Sequence, residues 1–313
     1  MCYNELKCLN CEVLLLNNEL LKNGKKKELI YELGLLLTAL IWGSSFPIGK
    51  VALTYYSPLF LTMSRYLLGG IIIGIYLNKR IFLITKKQLL GGAVCGAVFY
   101  FAYLIQIVGL QYTAPAKQSF LAALYVIIVP FLYWLVYKKK PDSYNFAAAL
   151  LTLIGIYLLT ANGPGGFNKG DLITLFSSFL YAVHIAVIGY LVKKMDPIIL
   201  TFLQTIIAGI IGLIVSLILE PLPTEFTLNG ILSILYLTIF CTIIAYGIQV
   251  LGQKYVSEMK TSIILCLESV FGTLLSVIFL NDPFTKIMFL GCIIIFMGII
   301  TAETKWKFLK KKQ

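Results

Sequence analysis

Long apolar runs alternate with short polar segments along almost the whole chain, and the runs have the length of membrane-crossing helices. A helix needs about 20 residues, at ~1.5 Å rise each, to cross the ~30 Å hydrocarbon core of a bilayer. Lipid offers no partner to backbone polar groups, and the runs have helical rather than barrel-type patterning. The pattern predicts an all-α integral membrane protein with ten transmembrane helices. These helices lie near 31–50, 58–77, 88–110, 115–137, 143–161, 171–192, 197–219, 228–250, 258–280 and 285–303.

Composition strengthens this interpretation. Of 313 residues, 59% are hydrophobic and only 13% are charged, with a mean hydropathy of +0.89. Soluble domains carry about 25% charged residues, so a soluble globular protein is excluded. The net charge of +12 comes from short basic clusters between apolar runs, not from a nucleic-acid-binding module. We therefore expect no nucleic-acid partner. The expected partners are the lipid bilayer and a small-molecule solute.

The basic clusters also predict an orientation. Twenty of the 26 lysines and arginines fall in segments that share one side if the N-terminus is cytoplasmic. Cytoplasmic segments are enriched in these residues. We therefore expect a multi-pass protein of the cell membrane with both termini in the cytoplasm, including an N-terminal tail at 1–28 and a basic C-terminal tail at 306–313.

The chain contains an internal repeat. Residues 103–112 and 246–255 are identical at five of ten positions with an offset of 143, and this offset also places Lys117 on Lys260. An offset of 139 places 58–62 on 197–201 and Trp42 on Tyr181. We infer two five-helix repeats, at 29–162 and 168–305. An odd number of helices per repeat inverts the second copy, which is an architecture of secondary transporters.

Several motifs occur in an order that is typical of one family. They are Leu-Ile-Trp42-Gly-Ser-Ser-Phe46, Pro58 through Arg65-Tyr-Leu-Leu, Gly109-Leu-Gln-Tyr112-Thr, Leu124-Tyr-Val126 with Val129-Pro130, and Leu267-Glu-Ser-Val-Phe271. With them the chain resembles the drug/metabolite transporter superfamily, in its ten-helix form with two EamA domains. Ser269 stands where the family usually has proline, and Asp282 where it often has glutamate. The resemblance implies a permease, often an exporter of amino acids or other metabolites, that works by alternating access.

Polar residues interrupt the first helix and its repeat mate. Trp42, Ser44 and Ser45 precede Pro47, which favours a kink because proline cannot donate to the carbonyl of Gly43. The sixth helix contributes Tyr181 and His184. We assign Trp42, Ser44, Ser45, Tyr181 and His184 to a substrate cavity. Close helix packing is the alternative for the serines, and a packing role is favoured for the single histidine.

Two equivalent faces and one acid complete the predicted cavity. Tyr103 and Gln106, and their mates Tyr246 and Gln249, are spaced i, i+3 and share a helix face. They either line a cavity or bond neighbouring helices. Glu268 lies deep in the ninth helix and is a candidate proton carrier or amine partner. Arg65, in the second helix, is a substrate counter-ion or a snorkelling residue, and the structural role is favoured.

Lys117 and Lys260 each lie about one turn into a helix. There the positive end of the helix dipole disfavours a cation without an anion nearby. The predicted topology puts them at opposite mouths of one pathway. We hypothesise that each lysine binds an anionic group of the substrate when its side opens. Snorkelling to lipid headgroups is the alternative.

These features predict a secondary transporter for an amino acid or a related carboxylate-bearing metabolite, with export as the expected direction. The alternative is an importer or exchanger of organic anions or phosphorylated metabolites. An enzyme is not expected, since no catalytic set, metal cluster or cofactor motif is visible in the spans. Proton coupling stays open, as does the choice between monomer and homodimer.

Overall fold

The computed structural model describes residues 28–138, 140, 142–161, 166–256 and 258–305. Their regular structure is helical throughout. The predicted tails at 1–28 and 306–313 lie outside these residues, except for Glu28. The helices are α1 Glu28–Ala52, α2 Pro58–Leu77, α3 Lys86–Tyr112, α4 Pro115–Ala122, α5 Tyr125–Tyr137, α6 Ser143–Ala161, α7 Lys169–Leu191, α8 Pro197–Leu219, α9 Leu228–Thr238, α10 Ala245–Gln253, α11 Glu258–Cys266, α12 Glu268–Leu280 and α13 Lys286–Thr304. A 3₁₀-helix, Asn78–Leu83, follows α2, and a π-helical segment, Ile239–Ile244, joins α9 to α10.

Helix starts follow local sequence signals. The Ser57 hydroxyl caps α2, and Pro58 occupies its first turn, where the missing N–H has no cost. At α7, Asn168 and Asp171 form a reciprocal capping box. The Asp196 carboxylate caps α8. In a membrane protein these caps satisfy the end groups that lipid cannot.

The predicted apolar segments all coincide with helical stretches, but the stretches differ in length. Among the described residues, seven helical runs are long and apolar enough to cross a membrane. Three segments carry shorter apolar helices, Ser143–Leu158, Ile264–Leu280 and Lys286–Gly298. The all-helical membrane fold is thus confirmed in its class.

Two of the predicted segments hold broken helices. The 115–137 segment breaks at Ala123 and Leu124, between α4 and α5, and the 258–280 segment breaks at Leu267, between α11 and α12. The offset of 143 places Leu124 on Leu267. It also relates the left-handed C-caps of α5 and α12, Lys138 with φ 58° and Asn281 with φ 53°. The two halves therefore share backbone details as well as sequence.

Glycines allow close helix approach at the α2–α8 crossing. A Cβ on Gly70 would lie 2.6 Å from the Cα of Ile206, and a Cβ on Gly209 would lie 2.6 Å from the Cα of Leu67. The offset of 139 relates Gly70 to Gly209 and Leu67 to Ile206. The two contacts are therefore equivalent, and α2 and α8 are related by local two-fold symmetry at their crossing. Small residues are what membrane helices use for such close contact.

The α6–α13 crossing repeats this arrangement. A Cβ on Gly155 would lie 2.6 Å from Cγ1 of Ile295, and a Cβ on Gly298 would lie 2.7 Å from Oγ1 of Thr152. The offset of 143 again exchanges the two contacts. Both crossings pair a helix with its own repeat mate.

Contacts between helix ends define one face of the bundle, which we call the Lys117 face. Lys50, near the end of α1, donates to the carbonyl of Leu110 in α3 at 2.6 Å. The backbone N–H of Ala116, at the start of α4, donates to Asp282 after α12 at 3.0 Å. Lys117 of α4 reaches the start of α7. The ends of α1, α3 and α12 and the starts of α4 and α7 therefore lie on this face.

The opposite face, the Lys260 face, joins the other ends. Arg80, after α2, lies 3.4 Å from Asp196 at the start of α8. Lys260 of α11 lies 2.9 Å from Glu28 at the start of α1. The consecutive helices α1, α2 and α3, and likewise α7 and α8, therefore run in alternating directions between the two faces.

The predicted kink at Pro47 does not interrupt α1, which stays helical from Glu28 to Ala52. The Ser44 and Ser45 hydroxyls donate to the carbonyls of Ile41 and Trp42, at 2.7 and 2.6 Å. Local hydroxyl bonds therefore support the turn that precedes the proline.

Candidate functional site

The helices enclose a small cavity of about 30 Å³, which is reached by side chains from both halves of the chain. Nine of the twelve predicted substrate-binding residues line it. They are Trp42, Ser45, Tyr103, Gln106, Tyr181, His184, Tyr246, Gln249 and Glu268. Phe46, Arg65, Ala122, Tyr125 and Ile185 complete the lining. A cavity needs ~10–15 Å³ by this measure to hold one water, so the contracted cavity has room for a few waters but not for a metabolite.

Arg65 provides a buried cation at the cavity. Its Nε donates to Oγ1 of Thr242 at 2.6 Å and its Nη2 to the carbonyl of Cys241 at 3.0 Å. Its Nη1 has no hydrogen-bond partner among the described residues, and no described ion pair includes this arginine. The guanidinium carbon lies 4.3 Å from the centroid of the Tyr103 ring, within cation–π range. A buried charge without a counter-charge is costly, so the site is suited to an anion.

The π-helical segment positions this arginine. Thr242 and Cys241 both belong to it. The Cys241 carbonyl also accepts from Nε1 of Trp42 at 3.0 Å. One carbonyl thus orients the indole and the guanidinium on the cavity wall. Single π-turns inside α-helices are frequent at functional sites.

Aromatic rings form much of the remaining wall. The Trp42 and Tyr246 ring centroids are 4.6 Å apart, and those of Phe99 and Tyr246 are 4.4 Å apart. His184 stacks on Phe99 with centroids 4.8 Å apart. Its Nε2 lies 3.0 Å from Oε1 of Gln204, the repeat mate of Arg65. His184 therefore combines packing contacts with a place at the cavity.

Amide groups give the cavity neutral polar contacts. The Tyr181 hydroxyl donates to Oε1 of Gln106 at 2.8 Å, which joins the two halves across the site. Gln249, the mate of Gln106, is buried, and its Oε1 has no hydrogen-bond partner in the described parts of the chain. An unpartnered buried amide oxygen is available to a donor on a bound solute.

Glu268 and Tyr125 occupy equivalent positions in the two repeats. Each is the first residue after a helix break, Tyr125 in α5 and Glu268 in α12. Both line the cavity. The breaks thus bring a hydroxyl and a carboxyl to the same space. Tyr125 was a motif residue in the sequence analysis but not a predicted site residue, although the offset of 143 from Glu268 identifies it.

Three predicted residues do not line the cavity. Ser44 lies 2.7 Å from the hydroxyl of Tyr236. Lys117 pairs with Asp171, Nζ to Oδ2 at 2.6 Å, and Lys260 pairs with Glu28 and Glu32. The sequence hypothesis gave each lysine an anionic substrate group, and the structure places a carboxylate of the chain beside each.

A larger apolar groove lies apart from this cavity. It measures about 870 Å³ and is lined by residues of α3, α5 and α7 and of the adjoining loops, among them Lys87, Val94 and Tyr190. Val94 and Tyr190 are largely exposed. The groove faces outward, whereas residues of both halves line the smaller cavity. Within the described residues no cluster of three or more histidine, cysteine or acidic side chains is arranged to hold a metal ion.

Comparisons with known proteins agree with this architecture. The EamA-like transporter family model matches residues 29–161 and 168–303. The chain is 32% identical over 281 residues to an uncharacterized transporter of Archaeoglobus fulgidus, covering 89% of this chain and 87% of the relative. It is 26% identical over 284 residues to an S-adenosylmethionine/S-adenosylhomocysteine transporter of Chlamydia muridarum, covering 83% of this chain and 89% of the relative. A solved crystal structure at 17% identity has a TM-score of 0.68, covers 90% of this chain and 99% of its own, and shows the fold alone.

Proposed function

The chain belongs to the EamA-like transporter family, and we propose that it exports an amino acid or a related metabolite bearing both a carboxylate and an amine. The observation that carries this proposal is that a guanidinium and a carboxyl, those of Arg65 and Glu268, line the same cavity. No ion pair of the described residues includes either of them. A solute with both charges satisfies both groups.

Arg65 is the proposed carboxylate anchor. Its guanidinium is held by Thr242 and Cys241, while Nη1 is left for a ligand. Guanidinium–carboxylate hydrogen bonds are charge-assisted and stronger than neutral ones. Of the two roles that the sequence left open for Arg65, the proposal adopts the substrate counter-ion.

Glu268 is the proposed partner of the amine, or the proton carrier when no amine is bound. An intramembrane carboxyl at the end of a broken helix is a recurrent feature of transport sites. One group serving both roles would make solute and proton compete for it, which is a simple basis for exchange.

The name of the Chlamydia relative favours the same solute class. S-adenosylmethionine and S-adenosylhomocysteine each carry an α-carboxylate, an α-amine and a flat adenine ring. The Trp42 and Tyr246 rings, which both line the cavity, offer ring surfaces for a flat group. A solute of this kind is a specific form of the proposal.

Transport proceeds by alternating access in a ten-helix topology with two inverted repeats, 29–162 and 168–305. The alternation of helix ends between the Lys117 and Lys260 faces supports this arrangement. The basic clusters support a cytoplasmic location for the Lys260 face and both termini. The contracted cavity then corresponds to a closed state that must widen to admit the solute.

The test is solute flux into proteoliposomes containing the purified protein. The panel comprises labelled neutral amino acids, S-adenosylmethionine, lactate, glucose 6-phosphate and tyramine, with protein-free liposomes as control. We expect saturable flux only of compounds that carry both a carboxylate and an amine, recovered chemically unchanged by mass spectrometry. Flux of tyramine or glucose 6-phosphate without any amino acid flux would contradict the proposal. Everted and right-side-out membrane vesicles then give the direction.

A further inference from the structure

We propose that the two repeat-related lysines are gate residues, each forming an ion pair that closes one mouth of the pathway. This inference rests on the proposed alternating access. Lys117 and Lys260 are related by the offset of 143. Their partners Asp171 and Glu32 are related by the offset of 139, the same offset that aligns Trp42 with Tyr181. Each lysine therefore reaches the first helix of the other repeat and meets the equivalent carboxylate there.

The pair on the Lys117 face is sealed. The side chains of Lys117 and Asp171 are 2% and 0% exposed, and their charged atoms are 2.6 Å apart. Lys117 Nζ also donates to the carbonyl of Gly166 at 2.7 Å, and the Thr113 hydroxyl donates to Asp171 at 2.8 Å. The pair thus joins α4, α7 and the end of α3. Separating these helices at this face breaks a buried ion pair.

Hydrogen bonds between α4 and α12 close the same mouth from another side. Ser119 donates to the carbonyl of Ser269 at 3.1 Å, and Thr273 donates to the carbonyl of Ala116 at 3.2 Å. A Cβ on Gly272 would lie 2.7 Å from the Cβ of Ser119, so the backbones are in close contact. The Lys117 mouth is therefore closed by charge and by packing.

The pair on the Lys260 face is open to solvent. The Lys260 side chain is 46% exposed, and those of Glu28 and Glu32 are 42% and 22% exposed. Exposed ion pairs contribute little, because water screens them, whereas breaking a buried pair from one side is strongly destabilising. The two gates are thus chemically equivalent but unequal in strength, and the Lys260 mouth opens more readily.

The experiment measures access to the cavity without any solute. Ala122, which lines the cavity, is replaced by cysteine in a protein whose native cysteines are serine. A membrane-impermeant methanethiosulfonate is then applied from either side of oriented vesicles. We expect Lys117→Gln to raise the labelling rate from the Lys117 side by about tenfold or more, since a buried pair is lost. Lys260→Gln should raise labelling from the Lys260 side by less than about fivefold.

A double variant keeps the test decisive if a single variant folds poorly. Lys117→Gln with Asp171→Asn leaves no unpaired buried charge and still lacks the pair. We expect it to label from the Lys117 side as fast as Lys117→Gln alone, because both lack the same gate. Unchanged labelling from the Lys117 side in the folded double variant would overturn the proposal. An equal increase from both sides would also overturn it, because that result indicates a loosened bundle.

The result also separates the gate from a solute-binding lysine. A lysine that only binds solute changes the KM of transport and leaves solute-free labelling unaltered, which would overturn the gate. Side-specific labelling together with a failed flux panel would retain the gates and reject only the proposed solute class.

Discussion

Replacing Arg65 by glutamine tests the proposed carboxylate anchor most directly. The variant keeps a polar side chain but loses the charge and the free Nη1. A hydrogen bond to a charged group contributes about 1.5–3 kcal/mol, and removing one partner of a buried charged pair costs about 2–5 kcal/mol. With one guanidinium nitrogen available, we expect a loss of about 2–4 kcal/mol, or ~30- to 700-fold in kcat/KM at ~1.4 kcal/mol per tenfold.

The assay compares two solutes in proteoliposomes, the panel compound with the greatest flux and its carboxamide. Arg65→Gln should lower flux of the acid by the factor above and change that of the amide far less, since the amide offers no charge to the guanidinium. Arg65→Lys should be intermediate, because an ammonium keeps the charge without the planar fork.

Arg80→Gln is the matched control. Arg80 is half exposed and pairs with Asp196 at 3.4 Å on the Lys260 face. Exposed pairs contribute about 0–1 kcal/mol, so flux should stay nearly unchanged. Thermal unfolding in detergent checks that each variant is folded. Equal loss of acid and amide flux in a folded Arg65→Gln protein would refute the anchor and assign Arg65 to scaffolding through Thr242 and Cys241.

Three further predictions concern other parts of the molecule. Glu268→Gln should abolish any stimulation of flux by a pH gradient, measured with the gradient imposed and collapsed; stimulation that persists would remove the proton role from this carboxyl. Gly209→Ala should destabilise the protein by about 1–3 kcal/mol in thermal unfolding, because its Cβ meets the Leu67 backbone, while Gly247→Ala, where a Cβ meets nothing within 4 Å, should be neutral or stabilising. The hydrogen bond from Lys305 lowers the pKa of Asp142. Its contribution should therefore be present above the unfolded pKa and lost as pH falls through the folded one. Partial exposure limits it to below ~1 kcal/mol, so Lys305→Gln should lower thermal stability slightly at pH 7 and by less at pH 3; a larger loss at pH 3 would contradict this assignment.

Much of the architecture was predictable because membrane helices obey few rules. Apolar length locates the helices, and the two offsets relate their equivalent contacts, as with Gly70 and Gly209. The same offsets contain the gate partners. Asp171 lies 139 positions after Glu32. The sequence does not show, however, that these two acids lie beside the lysines, where a solute was expected.

Other features needed the folded chain. The breaks at Leu124 and Leu267 have no glycine or proline at the break itself, while Pro130 and Pro47 lie inside helices that continue. The π-helical segment that holds Arg65 likewise contains no glycine or proline. A sequence motif identifies residues that disfavour a helix, but the surrounding packing decides where the helix breaks.

The broken helices suggest how the gates and the solute site act together. Lys117 and Ala122 belong to α4, a helix of eight residues and therefore about 12 Å long at ~1.5 Å per residue. We expect such a short helix to move as one piece about the break that follows it. Any motion that lets Ala122 withdraw to widen the cavity also displaces Lys117 from Asp171. Equivalent motion of α11 connects Lys260 with the break before Glu268. The solute site and each gate are thus joined by one short helix, so we expect widening of the 30 Å³ cavity to require one gate to weaken.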